Sequence, residues 1–345
     1  MDINNIPLEL LIKILSYIPQ NDLYHAISQV CRHWKKLSIL PDFWRTFNYA
    51  ELSILSWSSA EQFREQYFKL EMENRVAHIR NIQTFIQELS INRFEFQEIQ
   101  NSRSQIAFSD LKHLHITNEI SGQLFKDILR KCPKLLAIDL QMYNTMIVSF
   151  DLFCGLNLKE IKLCLLLPAS KTINNDLIFL TETNPNLEKL DLDVTVRYFL
   201  LDSGVHLELE DDTIRQILNQ SRNLKTLALR NCSVSSKGFM SCGIILGLTE
   251  FTISNSYLFD DNGIECVTRN AKNLLVIEIL ECNNITDKSI ASIAENCPRL
   301  LCLSIYHPLV GVQIRNESLM AIANACKNLK KNILAFSIEK SQYNG

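Results

Sequence analysis

The sequence predicts an α/β fold: a small all-helical domain at the N-terminus, then a solenoid with a curved parallel sheet and outer helices. Two observations carry this. First, an apolar-x-x-apolar-x-apolar frame recurs from residue 111 onward, at Leu111/Leu114/Ile116, Leu135/Ile138/Leu140, Leu158/Ile161/Leu163, Leu187/Leu190/Leu192, Leu224/Leu227/Leu229, Leu248/Phe251/Ile253, Leu274/Ile277/Ile279 and Leu300/Leu303/Ile305. Helix-like segments such as SGQLFKDILRKCPKL, SIASIAENCPRL and SLMAIANACKNL lie between the frames. Second, residues 6 to 47 read as three short helices, the first of which has almost no polar face.

The frame alone has little weight, because chance gives on the order of ten matches in a chain this apolar. Spacing decides the matter. Successive first leucines lie 24, 23, 29, 37, 24, 26 and 26 residues apart. One strand and one helix in a period of twenty-odd residues cannot bury their apolar sides alone, so units must stack.

Composition bounds the function classes. The chain has 345 residues, a net charge of -3 and a pI of about 6.2. It therefore has no basic excess for clamping a nucleic-acid backbone. No apolar run reaches membrane-span length, and the polar start MDINN predicts no secretory signal. The eleven cysteines form no C-x-x-C pair, so they are expected to be reduced and free of zinc. The N-x-S/T sequences at Asn231, Asn284 and Asn316 are expected to be coincidental. The expected residence is cytoplasmic, nuclear or both.

In the first helix, Pro7 takes a favoured first position. Leu8, Leu10, Leu11, Ile12, Ile14, Leu15 and Ile18 follow, interrupted by Glu9, Lys13, Ser16 and Tyr17. A helix resting on its own domain needs one apolar stripe, and three short helices offer little core. The surplus face therefore calls for a second protein or a large neighbouring domain. Beyond it come Asn21-Asp22-Leu23, Val30-Cys31-Arg32, Trp34, Leu37 and, after Pro41-Asp42, Phe43-Trp44-Arg45. This order resembles the F-box, by which substrate receptors attach to the Skp-family adaptor of cullin ubiquitin ligases. Ile6 stands where leucine is usual. The resemblance implies adaptor contacts at Ile6, Pro7, Glu9, Leu10, Ile14, Leu15, Ile18, Leu23, Val30, Cys31 and Trp34. An ordinary helical cap on the following domain is the alternative.

The repeating part resembles leucine-rich repeats, most clearly over residues 274 to 305. There Cys282, Ile285-Thr286-Asp287 and Cys297-Pro298 resemble the cysteine-containing subclass found in many F-box proteins. The thiols read as small buried hydrophobes. The expected domains are an F-box at 1–50, a linker helix at 51–75, and repeats with a C-terminal cap at 76–345. A first repeat strand is expected at Val76, Ile79 and Ile82, with 83 to 107 irregular. The 37-residue unit predicts a long loop over 197 to 211.

Nothing in the chain predicts catalysis, a cofactor or a metal. His113-x-His115 puts two imidazoles on one strand face, but no third ligand follows at metal-site spacing. Asp139, Glu160, Asp191, Asp193, Glu250 and Glu278 share the sheet face on successive strands, where they are expected to stand open to water rather than paired for acid–base work. There is no G-x-S-x-G, glycine-rich phosphate loop or H-E-x-x-H. The same face suits protein binding. Its expected outward residues include Thr226, Ala228, Thr252, Ser254 and Ser304, with Arg230, Glu250, Val276, Glu278, Leu280 and Tyr306 as target contacts. The reading is a non-catalytic substrate receptor: the adaptor bound directly, the cullin complex indirectly, and a protein target on the concave face. The rivals are an F-box scaffold with no degradation role and a repeat inhibitor with a helical cap.

Overall fold

The computed structural model describes residues 6–48, 74–92, 106–117, 122–142, 150–168, 173–197, 207–240, 245, 247–307 and 314–336. Most of the expected linker helix, the centre of the 197–211 loop and the chain beyond 336 lie outside the described residues. The chain forms two compact units, Met1–Gln141 and Met142–Gly345.

In the first unit, the helix Leu8–Leu15 follows Pro7 and turns Leu11 and Leu15 inward. A helical run over 20–30 and the helix Arg32–Ser38 complete the N-terminal segment. Its anchor is Trp44, fully buried, whose indole N–H donates to the Ser38 carbonyl at 2.6 Å. The Gln20 side-chain amide donates to the carbonyls of Phe43 and Thr46, both at 2.6 Å. These bonds fix the chain as it enters strand β1 (Thr46–Asn48). β1 pairs in parallel with β2 (Glu88–Asn92), β2 with β3 (His113–Thr117), and β3 with β4 (Ala137–Met142). The end of the segment read as an all-helical F-box thus joins the repeat sheet.

The expected strand at Val76, Ile79 and Ile82 is a helix over 74–82. The reason is period: with Ile86, these apolar residues recur every three or four positions, and all are buried. Within the stretch expected to be irregular, β2 alternates properly and buries Leu89 and Ile91. His78 on the helix is packed against the rings of Trp44 at 4.5 Å and Tyr24 at 4.7 Å. Its Nε2 has no hydrogen-bond partner among the described residues. Burial, and secondarily the charge of His25, lowers its pKa to about 4.

Stability should respond to pH through this group. The folded pKa lies below the unfolded value of about 6.5, so the contribution is complete above pH 6.5 and is lost as pH falls towards 4. A shift of this size corresponds to about 3 kcal/mol. Urea unfolding at pH 7 and pH 4 should therefore show a loss larger by about that amount in the wild type than in His78→Phe. Equal losses in both proteins would place the acid sensitivity elsewhere.

In the second unit the strands are β5 (Glu160–Pro168), β6 (Lys189–Arg197), β7 (Leu207–Leu209), β8 (Thr226–Arg230), β9 (Cys232–Val234), β10 (Glu250–Ser254), β11 (Val276–Leu280), β12 (Cys302–His307) and β13 (Lys331–Phe336). The parallel sheet runs β5-β6-β8-β10-β11-β12-β13, and β7 pairs separately with β9. Part of the expected long loop is thus strand. Every frame residue named above, in both units, is at most 3 % exposed.

Helices return the chain from strand to strand: Asn174–Thr183, Asp211–Gln220, Ser236–Met240, Asp261–Asn270, Asp287–Asn296 and Asn316–Ala325. Polar residues at the starts of several of them tie one helix to the next. Asp261 accepts from the Thr286 N–H at 2.8 Å and the Ser289 hydroxyl at 2.5 Å. Asp287 accepts from the Arg315 N–H at 2.8 Å and the Ser318 hydroxyl at 2.5 Å, which lowers its pKa. Each carboxylate so satisfies helix-end donors of the next unit. Gly263 permits close packing, since a Cβ there would meet the Phe259 ring at 2.4 Å.

One core position shows the repeat chemistry. In six of the units it is a buried residue, Cys132, Asn184, Ser221, Ala271, Cys297 or Cys326, three residues before a leucine. Burial raises the pKa of the Cys132 and Cys297 thiols to about 12, which suppresses the reactive thiolate. Asn184 accepts from the Leu158 N–H at 2.8 Å. The Ser221 hydroxyl, 1 % exposed, has no partner among the described residues. Ser221→Ala should therefore raise stability by about 1 kcal/mol in urea unfolding, because a buried unsatisfied hydroxyl is removed. A loss would mean that the hydroxyl is bonded.

Candidate protein-binding surfaces

The first surface lies on the helix Leu8–Leu15. Leu8, Leu10 and Ile14 are about half exposed, as is Val30, and Tyr17 is 79 % exposed. Leu10 and Ile14 sit one turn apart and continue the line from exposed Pro7. Glu9 and Cys31 are exposed too, and Ile6 and Ile18 are half-buried. Three expected contacts need correction. Leu15, Leu23 and Trp34 are buried in the first unit's own core, so they support the surface rather than form it. Leu11 and Leu15 are also one turn apart, and they take the inward stripe. Leu8 and Tyr17, which were not expected as contacts, are on the outside. A helix turns only one stripe inward, which leaves Leu8 outside, and Tyr17 lies beyond the helix end.

The second surface is the sheet of the later repeats. Its middle is more closed than the alternation predicts: Ala228, Thr252, Ser254 and Ser304 are all at most 9 % exposed. Neighbouring strands stand about 4.8 Å apart, so small side chains are covered from both sides. Val276 and Leu280 are half-buried, whereas Glu250 is exposed and Tyr306 is 40 % exposed. Strand register places Ser254, Leu280 and Tyr306 in one row.

The carboxylates do not all stand open to water. Asp191 is buried and forms an ion pair with Arg230. Burial raises its pKa while the Arg230 guanidinium opposes the shift. Arg230 is therefore occupied internally. Glu250 accepts from the Thr226 hydroxyl at 3.1 Å, and Glu278 from that of Thr252 at 3.2 Å. His115 lies 3.0 Å from Asp139 through Nδ1, while His113 is exposed. Among the described residues no three His, Cys, Asp or Glu side chains cluster in a way that could hold a metal ion.

Residues 3–50 match the family described as F-box-like. Among solved structures, the chain is similar to one from the complex of Rad7 and Elc1 in yeast. The identity is 16 % and the TM-score 0.53, over 94 % of this chain and 75 % of that one. An internalin from Listeria monocytogenes matches at 12 % identity and a TM-score of 0.41, over 77 % of each chain. The leucine-rich-repeat protein LegL7 from Legionella pneumophila matches at 11 % and 0.38, over 75 % of this chain and 86 % of that one. Strand topology and this likeness define the class as a leucine-rich-repeat-like α/β fold. Within that class, this chain has an F-box-like domain at residues 3–50.

Proposed function

We propose that the chain is the substrate-recognition subunit of a Skp–cullin–F-box ubiquitin ligase. The carrying observation is the uncovered apolar face of Leu8, Leu10 and Ile14 within the F-box-like segment. Leucine-sized side chains return about 1.5–3 kcal/mol each when taken fully from water, which favours a partner on this face. In this reading a Skp-family adaptor docks there, a cullin joins through the adaptor, and the repeats hold a protein target. The contribution of this chain is proximity, which raises the effective concentration of a target lysine near the charged thioester. It needs no cofactor or metal and acts in the cytoplasm, the nucleus or both. The Rad7 structure, solved in complex with Elc1, supports reading such a fold as one chain of an assembly.

The test is co-expression with a Skp-family adaptor followed by size-exclusion chromatography. A stoichiometric complex that also recruits the cullin is expected. A folded chain that elutes apart from the adaptor would overturn the reading. Loss of ubiquitylation of a captured target on deleting residues 3–50 separates a receptor from a scaffold with no degradation role.

A further inference from the structure

We infer that the turns leading into β11, β12 and β13 form a docking strip for an acidic segment of a partner protein, an extended run of Asp or Glu. The strip goes beyond the proposed adaptor contact and does not depend on it. The first observation is a link that recurs with its acid removed. In several units the residue just before the frame leucine donates to the residue at the same position one unit earlier. The pairs are Lys134 to Asp110 at 2.5 Å, Asn186 to Asn157 at 2.8 Å and Arg299 to Asn273 at 3.2 Å. Lys134 meets a carboxylate, whereas Arg299 meets a neutral amide. Lys272 reaches an amide too, the Asn296 side chain at 2.6 Å.

The second observation is that cations accumulate here without acids among them. Lys272, Arg299, Lys327 and Lys330 are all exposed, and none has an ion-pair partner among the described residues. β11, β12 and β13 are neighbours in the sheet, so these cations stand on adjacent turns at its amino end. A helix C-terminus favours a cation within its last turn, but Lys330 lies past Leu329, just before β13. The acids bound the strip. Glu250 begins β10, and residues 241–249 before it contain no cation. Glu295 lines the outer cleft between the helices Asp261–Asn270 and Asp287–Asn296, with Glu265 and Arg269, which pair with each other at 2.5 Å. Asp260, Asp261 and Asp287 stand at the opposite ends of these helices.

The third observation selects the occupant. Between the cations stand Asn273, Pro298 and Asn328. The two amides suit carboxylates, and none of the three offers an aromatic ring on which a nucleic-acid base could stack. The Arg299 guanidinium has the fork geometry that pairs with a carboxylate. The chain as a whole carries a net charge of -3, which opposes a long polyanion and favours a short acidic segment of a protein. With strands about 4.8 Å apart, three turns span about 10 Å, the reach of about three or four extended residues.

The experiment titrates the full chain into a fluorescein-labelled dodecapeptide of alternating Asp and Ser and reads anisotropy, with the melting temperature of each variant checked. Binding that weakens with salt is expected. Lys272→Glu/Arg299→Glu should weaken it at least tenfold. Lys237→Glu/Lys288→Glu makes the same change in net charge at the other ends of the helices, and should leave affinity within twofold. Asn273→Asp should weaken binding at least threefold, because it gives Arg299 the acid that Lys134 has in Asp110. No binding of the peptide, or equal losses in the two double variants, would overturn the strip. Tighter binding of an oligothymidylate of equal charge would overturn the protein segment as its occupant. Co-elution with the adaptor, measured on the same variants, reads the F-box proposal separately.

Discussion

Replacing Leu10 and Ile14 together by Ala should weaken adaptor binding at least a hundredfold while leaving the melting temperature nearly unchanged. Both side chains are about half exposed in the free chain, so their removal leaves no cavity in the fold. An apolar anchor at the centre of an interface is worth about 2 kcal/mol or more. Two anchors that share a contact are not additive, so the loss expected for the pair is nearer 3 than 4 kcal/mol. Isothermal titration calorimetry with the purified adaptor measures it. Leu15→Ala is the contrasting variant: Leu15 has no exposure, so its removal should cost about 2–5 kcal/mol of folding stability. A folded Leu10→Ala/Ile14→Ala chain that binds with wild-type affinity would remove this face from the proposed interface.

The second large effect is expected in the repeats. Phe251→Ala should destabilise the second unit by about 3–5 kcal/mol in urea unfolding. Phe251 is fully buried on β10, with its ring 5.8 Å from Phe239 and 6.1 Å from Phe259. Each unit relies on its neighbours for burial, so the cavity opens between units rather than within one. Glu250→Ala, at the adjacent exposed position, should stay within about 0.5 kcal/mol. Similar stabilities for the two variants would contradict the strand register that sends Phe251 inward.

The reach of the sequence differed between elements, for reasons visible in particular residues. Leu274, Ile277 and Ile279 were legible because a strand alternates: the spacing of the apolar residues states which side faces the core, whatever lies beyond it. The same local rule failed at Val76, Ile79 and Ile82, where an adjoining polar stretch suggested a degenerate repeat although the spacing was helical. It also said nothing of β1, since Thr46–Asn48 becomes a strand only because β2 lies alongside.

The candidate surfaces divide in the same way. The order of residues from Pro7 to Arg45, and the excess of apolar side chains on the first helix, were determined by the sequence and matched the F-box-like family. Which of those side chains remain free was decided by packing: Leu15, Leu23 and Trp34 went inward, while Leu8 and Tyr17 did not. On the sheet, alternation determined that Thr252, Asp191 and Tyr306 avoid the leucine core. Tertiary structure decided that Thr252 is covered, that Asp191 is taken by Arg230, and that Tyr306 stays exposed. The physical reason is range. Periodicity is a property of one element's own geometry, whereas exposure and charge pairing depend on side chains that neighbouring strands bring within a few ångströms.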